Sequence, residues 1–153
     1  MDADSGRAVF EISDASNGRF SPDGHLLAYD EHKSGEVYIT SFPGQGAHFA
    51  VSSGGGGAAR WRADGQELFY VSDDLAVVSL QVRESANEFR VVTSQRLFRL
   101  QLPYNDREYD VTRDGKRLLV NARTLKEQSA PVTVVTHWPE VVQGGVVNED
   151  HPH

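Results

Sequence analysis

Phe20-Ser21-Pro22-Asp23-Gly24-His25-Leu26-Leu27-Ala28-Tyr29 is the stretch from which the fold can be read. Proline presets the backbone for the start of a turn. Asp23 can accept hydrogen bonds from the N–H groups that follow it, and Gly24 can take the positive φ that closes the turn. The apolar run from Leu26 then reads as a strand returning antiparallel. The pattern recurs as Trp61-Arg62-Ala63-Asp64-Gly65 before Gln66-Glu67-Leu68-Phe69-Tyr70. It recurs again as Val111-Thr112-Arg113-Asp114-Gly115 before Lys116-Arg117-Leu118-Leu119-Val120. The Asp-Gly pairs lie 41 and 50 residues apart, each with an apolar residue three places ahead of the aspartate.

Further strands are predicted in each copy. A third strand is expected at 36–42, 75–82 and 131–138, and a fourth at 48–52 and 89–98. Units of this length with up to four strands match the blades of a β-propeller. A β-sandwich carrying three ordinary hairpins is the alternative. Fourteen glycines scattered among many valines suit strands and turns, and the hydrophobic fraction of 39% can supply a core. Two windows, 81–87 and 124–129, are polar enough for a helical turn, but they are short and neither buries a useful face. The predicted class is therefore all-β, with three blades near residues 15–53, 54–99 and 100–140 and a flexible tail at 148–153.

The first copy, with Leu27, Ala28 and Tyr29 after its Asp-Gly pair, resembles the WD40-like (PD40) repeat of TolB-type propellers. The second copy keeps Trp61, Asp64, Gly65, Leu68 and Tyr70 but has Arg62-Ala63 in place of Ser-Pro. The third keeps Asp114, Gly115 and Leu118 but has Thr112-Arg113 there. The segment order is similar to the C-terminal half of the propeller attached to bacterial receptor-type serine/threonine kinases. That order runs from Glu36-Val37-Tyr38-Ile39 and Phe42-Pro43-Gly44, through the glycine run 54–57 and Arg96-Leu97-Phe98, to the closing Pro131-to-Trp138 strand. The resemblance implies a sensor or interaction module, with any kinase domain upstream. No kinase motif occurs in these residues.

Three blades are fewer than the four to eight of known propellers. The expectation is a half propeller that pairs with a second chain into a six-bladed ring. The strand predicted at 7–12 would complete a blade of that other chain. A self-covered monomer is the first alternative, and a trimer or larger open ring is the second. The leading functional expectation is a non-enzymatic scaffold or interaction module that binds a protein or small-molecule ligand at the channel mouth. Two alternatives stand beside it: a hydrolase or lyase whose site assembles in the channel from several blades, and a fragment with no function of its own.

Chemistry is sparsely signalled. The absence of cysteine excludes disulfides and thiolate metal sites. A net charge of −7 argues against nucleic acid, and no apolar run is long enough to insert in a membrane. The N-terminal residues do not read as a signal peptide. They point to the cytosol for the chain as given, while the receptor resemblance would place a parent domain outside the membrane. There is no Gly-x-Ser-x-Gly elbow, and the glycines at 54–57 lack the lysine of a phosphate loop. The six histidines (His25, His32, His48, His137, His151 and His153) have no metal-binding spacing, and no catalytic residue, metal or cofactor is assigned. Asp23, Gly24, Asp64, Gly65, Asp114 and Gly115 are read as structural turn residues. Asp30-Glu31 and Asp73-Asp74 are read as loop acids between strands. Arg19, His25, Arg60, Arg62 and Gln66 form the candidate contact surface, with Arg19 and Arg60 in matching positions and the arginines expected to pair with repeat aspartates.

Overall fold

Each Asp-Gly turn joins two antiparallel strands in the computed structural model, which describes residues 11–43, 46–85, 88–100, 107–121 and 132–136. Among these residues there is no helix. The first sheet runs in chain order through β1 (Ala15–Phe20), β2 (Leu26–Glu31), β3 (Glu36–Ser41) and β4 (Phe49–Ala50). The second runs through β5 (Gly56–Trp61), β6 (Glu67–Ser72), β7 (Ala76–Ser85) and β8 (Glu88–Arg99). The third holds β9 (Tyr109–Val111), β10 (Arg117–Asn121) and β11 (Val132–Thr136). Every described pairing is antiparallel.

The three turns are built alike. Gly24, Gly65 and Gly115 take φ of 78°, 72° and 69°. Their N–H groups donate to the carbonyls of Ser21, Arg62 and Thr112 at 2.8, 2.9 and 2.8 Å. Oδ1 of Asp23, Asp64 and Asp114 accepts the N–H two residues on at 3.0 Å in each case. A side chain two places before each aspartate adds a further bond. The hydroxyls of Ser21 and Thr112 donate at 2.6 Å, and Arg62 donates from Nε and Nη2 at 2.9 and 2.7 Å.

Those side-chain bonds are the leading reason all three carboxyls lie below the ordinary aspartate value of 3.8. An unfolded chain takes up these protons at a higher pH than the fold does, so the turns contribute fully above that value. The contribution disappears as the pH falls through the depressed folded values. Urea midpoints measured from pH 6 downwards should therefore hold until about pH 4 and then fall. Replacing Asp114 with Asn should flatten part of that fall.

Alternation along the strands divides the core in two. One cluster lies between the first and second sheets and contains Leu26, Ala28, Val37 and Ile39 against Ala59, Leu68, Tyr70, Val78, Leu80 and Val82. The other lies between the second and third sheets. There Phe69, Val71, Val77 and Leu97 meet Tyr109, Leu118 and Val120. The turns touch as well: Ala63 N–H donates to Arg113 O at 3.2 Å, and the Trp61 indole N–H donates to Arg19 O at 3.0 Å.

Some expectations are corrected. The strand expected at 75–82 is β7, which starts at Ala76 and runs on through the polar window as far as Ser85. Val82 is still buried, and only residues 83–85 lie in the exposed outer part of the hairpin, where the ladder to β8 keeps their backbone extended. Asp30 and Glu31 end β2 rather than occupying a loop. Asp73 and Asp74 do sit at the β6–β7 tip. The polar window at 124–129 and the tail at 148–153 lie outside the described residues, as does most of the predicted strand at 7–12. Glu11 and Ile12, its last two residues, are described and are not in a strand.

Candidate functional site

The first strands of the sheets, β1, β5 and β9, lie beside one another, with β5 packed against both neighbours. Both β1 and β5 carry an irregularity at the same repeat position. The ladder shifts between Ser16 and Arg19 in one strand and between Gly57 and Arg60 in the other. Asn17 and Ala58 sit inside these shifts at φ of 53° and 58°. Asparagine tolerates this left-handed conformation, whereas alanine pays a steric cost there, and such strain persists only where its surroundings impose it.

At Ala58 the surroundings are supplied by Asp30. Its Oδ2 accepts the Ala58 N–H at 3.0 Å and the Asn17 amide at 2.7 Å. One carboxylate thus ties the bulge of its own sheet to that of the next. Its second oxygen, Oδ1, is buried and has no hydrogen-bond partner among the described residues.

Arg107, just ahead of β9, reaches the same place. A Cβ on Gly57 would stand 2.6 Å from Arg107 Nη1 and 2.8 Å from Asp30 Oδ2. Glycine is therefore what lets these two groups share the space above the strand. Arg107 also forms an ion pair with Asp73 at the β6–β7 tip, and its side chain remains 25% exposed. The Arg60 guanidinium carbon lies 5.6 Å from the ring centroid of Tyr109, and its Nη1 donates to Ala59 O at 2.8 Å. Tyr109 is buried, and its hydroxyl has no partner among the described residues. Burial is the main reason its ionisation is pushed far up. Asp30 pushes the same way and Arg60 opposes, so the phenol stays protonated. The cluster thus combines a half-buried carboxylate, whose Oδ1 has no partner among the described residues, with two guanidinium groups and a neutral phenolic donor.

Of the contact residues read from the sequence, only Arg60 belongs to this cluster. Arg62 pairs with Asp64 and Glu67 in its own turn. Arg19 bonds the carbonyl of Gly18 at 2.9 Å and is exposed. The two matching arginines thus bond backbone carbonyls, and it is Arg62 that takes a repeat aspartate. Gln66 is exposed, with its N–H on Asp64. His25 Nδ1 lies 3.8 Å from Glu84. With Asp23 these two form an exposed trio whose ligand atoms lie within 4.8 Å of one another. Asp23 already accepts bonds from Ser21 and the His25 N–H.

Sequence reading did not single out Asn17, Arg107 or Tyr109, and it placed Asp30 in a loop. One signal was available for Asp30. It stands seven residues after Asp23, where the second copy has Val71, so a charge replaces a core residue.

No family model and no curated protein matches the sequence. Solved structures do match the fold. One is a provisionally assigned 6-phosphogluconolactonase of Bacteroides fragilis, with TM-score 0.54 and 18% identity over 83% of this chain and 41% of its own. Another is a protein of unknown function from Desulfotomaculum acetoxidans, with TM-score 0.57 and 17% identity over 88% of this chain and 41% of its own. The chain therefore spans about two-fifths of the length of these neighbours.

The comparison corrects two expectations. The matched fold is the propeller-like fold of 6-phosphogluconolactonases and not the TolB-type PD40 propeller of receptor kinases. The physical reason is that an Asp-Gly hairpin in a four-stranded unit reports turn geometry, which propellers of different families share. The non-enzymatic scaffold expectation is corrected with it, since the matched structure is that of a provisionally assigned 6-phosphogluconolactonase.

Proposed function

We propose that this chain contributes to a propeller hydrolase that opens the lactone ring of a sugar acid, with its three sheets as consecutive blades. The observation that carries this reading is the polar cluster of Asp30, Arg60, Arg107 and Tyr109 at the blade junctions. The fold it shares with a provisionally assigned lactonase adds support.

Lactone hydrolysis needs a base for water and positive charge for the oxyanion. Asp30 supplies the base, since Oδ2 is held by two donors and Oδ1 keeps its lone pairs. Water attacks the lactone carbonyl as its proton passes to Asp30, and Arg107 and Arg60 stabilise the oxyanion. Collapse breaks the ring C–O bond, and the proton returns to the leaving oxygen to give the open hydroxy acid. Tyr109, held neutral, can donate a hydrogen bond within the cluster.

The test is proton release from glucono-δ-lactone in a pH-stat at pH 7, corrected for spontaneous hydrolysis. The folded protein should exceed the background rate. Arg107→Ala should lower kcat/KM by about 100-fold, the scale of losing one oxyanion donor. A folded protein that leaves the background rate unchanged would overturn the assignment.

A further inference from the structure

The repeat register assigns a direction to every sheet face. Count from the aspartate of each turn. The fifth residue after it points toward the following sheet: Ala28 belongs to the cluster shared with the second sheet and Phe69 to the cluster shared with the third. The fourth and sixth residues point back toward the preceding sheet. Leu68 and Tyr70 meet the first sheet, and Leu118 and Val120 meet the second. Sheets therefore stack head to tail, each offering a forward face that fits the backward face of the next.

Among the described residues, two faces in this series carry exposed apolar side chains. On the third sheet the forward residue is Leu119, 44% exposed where Ala28 and Phe69 are fully buried. Its cross-strand neighbour Val134 is 55% exposed, although Ile39, which holds the same place beside Ala28, is fully buried. On the first sheet the backward face carries Leu27 and, opposite it, Phe20. Phe20 is 53% exposed, whereas its counterpart Trp61 packs into the cluster between sheets. An open groove lined by Ile12, Ala15, Gly18 and Leu27 marks the same face.

We infer that these two faces dock on each other between two copies of this chain, so that the third sheet of each copy covers the first sheet of the other. The occupant follows from the pattern, because what covers a backward face elsewhere in the molecule is the forward face of another such sheet, and a second copy carries one. Two copies supply six sheets, within the four to eight that close a propeller ring. Two heterologous contacts related by a two-fold axis close without leaving a free face. The inference rests on reading the sheets as blades. It deepens the proposed site, since the backward face of the first sheet belongs to the same β1–β2 pair that carries the bulge at Asn17.

Light scattering at micromolar concentration should give twice the 16.9 kDa of one chain. Leu119→Glu combined with Val134→Glu should halve that mass while the far-UV circular dichroism of the sheets is kept. A folded wild-type monomer overturns the inference, as does a dimer that survives both charges. Should the charged variant fail to fold, Leu27→Cys with Leu119→Cys decides the matter in a chain that has no other cysteine. Oxidation should yield a cross-linked dimer from the double variant and none from either single one. A double variant that stays uncrosslinked overturns the inference. A dimer without lactonase activity would remove the hydrolase reading and leave this one intact, because mass and cross-linking do not depend on turnover.

Discussion

Phe69→Ala is expected to lower the free energy of unfolding by about 3–5 kcal/mol, the range for emptying a buried phenylalanine site. Phe69 lies in the middle of the central strands of the second sheet, between Arg60 on β5 and Ser79 on β7, and is fully buried. It points into the cluster that joins the second sheet to the third, with Val71, Val77, Leu97 and Leu118. Strands on both sides fix the backbone, so the surroundings can collapse only partly into the space. Domains of this size are stable by about 5–15 kcal/mol, so the variant should unfold at a much lower urea concentration with its slope unchanged. A loss under about 1 kcal/mol would mean that the two sheets do not pack through this residue.

Asp30→Asn is expected to reduce lactone hydrolysis by at least about 100-fold, the scale of a general base, with little loss of fold. The substitution separates two roles of one side chain. Asparagine keeps an oxygen that can accept the Ala58 N–H and the Asn17 amide, so the bond between the bulges survives. What it loses is the carboxylate oxygen that serves as the base. Kinetics and urea unfolding measured on the same preparation read the roles apart. Equal activity in wild type and variant would remove Asp30 from the chemistry and leave it as a structural tie. Asp30→Ala, by contrast, strips the acceptor from two donors, one of them a strained backbone N–H, and should destabilise the sheet junction by about 1–3 kcal/mol.

The parts of this architecture that show in the sequence are those set by neighbouring residues. The turns at Asp23, Asp64 and Asp114 depend on a glycine able to take positive φ, an aspartate reaching two residues forward and an apolar strand just beyond. Strand β8 has the same local character and was anticipated within a residue or so of its bounds. Residues 83–85 fell outside the strand expected at 75–82 because this exposed outer part carries no apolar alternation to mark it as strand. The bulge at Ala58 was hidden for another reason. Alanine has no preference for positive φ, and the conformation is held by a carboxylate 28 residues away.

The candidate site was least visible. Asn17, Asp30, Gly57, Arg60, Arg107 and Tyr109 span most of the chain, and no two of the charged groups stand at a spacing that signals chemistry. The same separation misled the functional reading. The Asp-Gly repeats suggested a receptor-type propeller and a scaffold role, yet the fold aligns with a lactonase-type structure. The charged cluster lies at the sheet junctions, away from most of the contact residues inferred along the repeats.

By itself the sequence determined an all-β chain built from three turn-centred units, because hairpin geometry and side-chain alternation act over a few residues and do not depend on the rest of the molecule. Only the tertiary structure decided which faces meet, which alanine takes a left-handed backbone, and that Asp30 and Arg107 share the space above Gly57. Those outcomes depend on the stagger of one sheet against the next, and that stagger is set by the packing of side chains from distant strands.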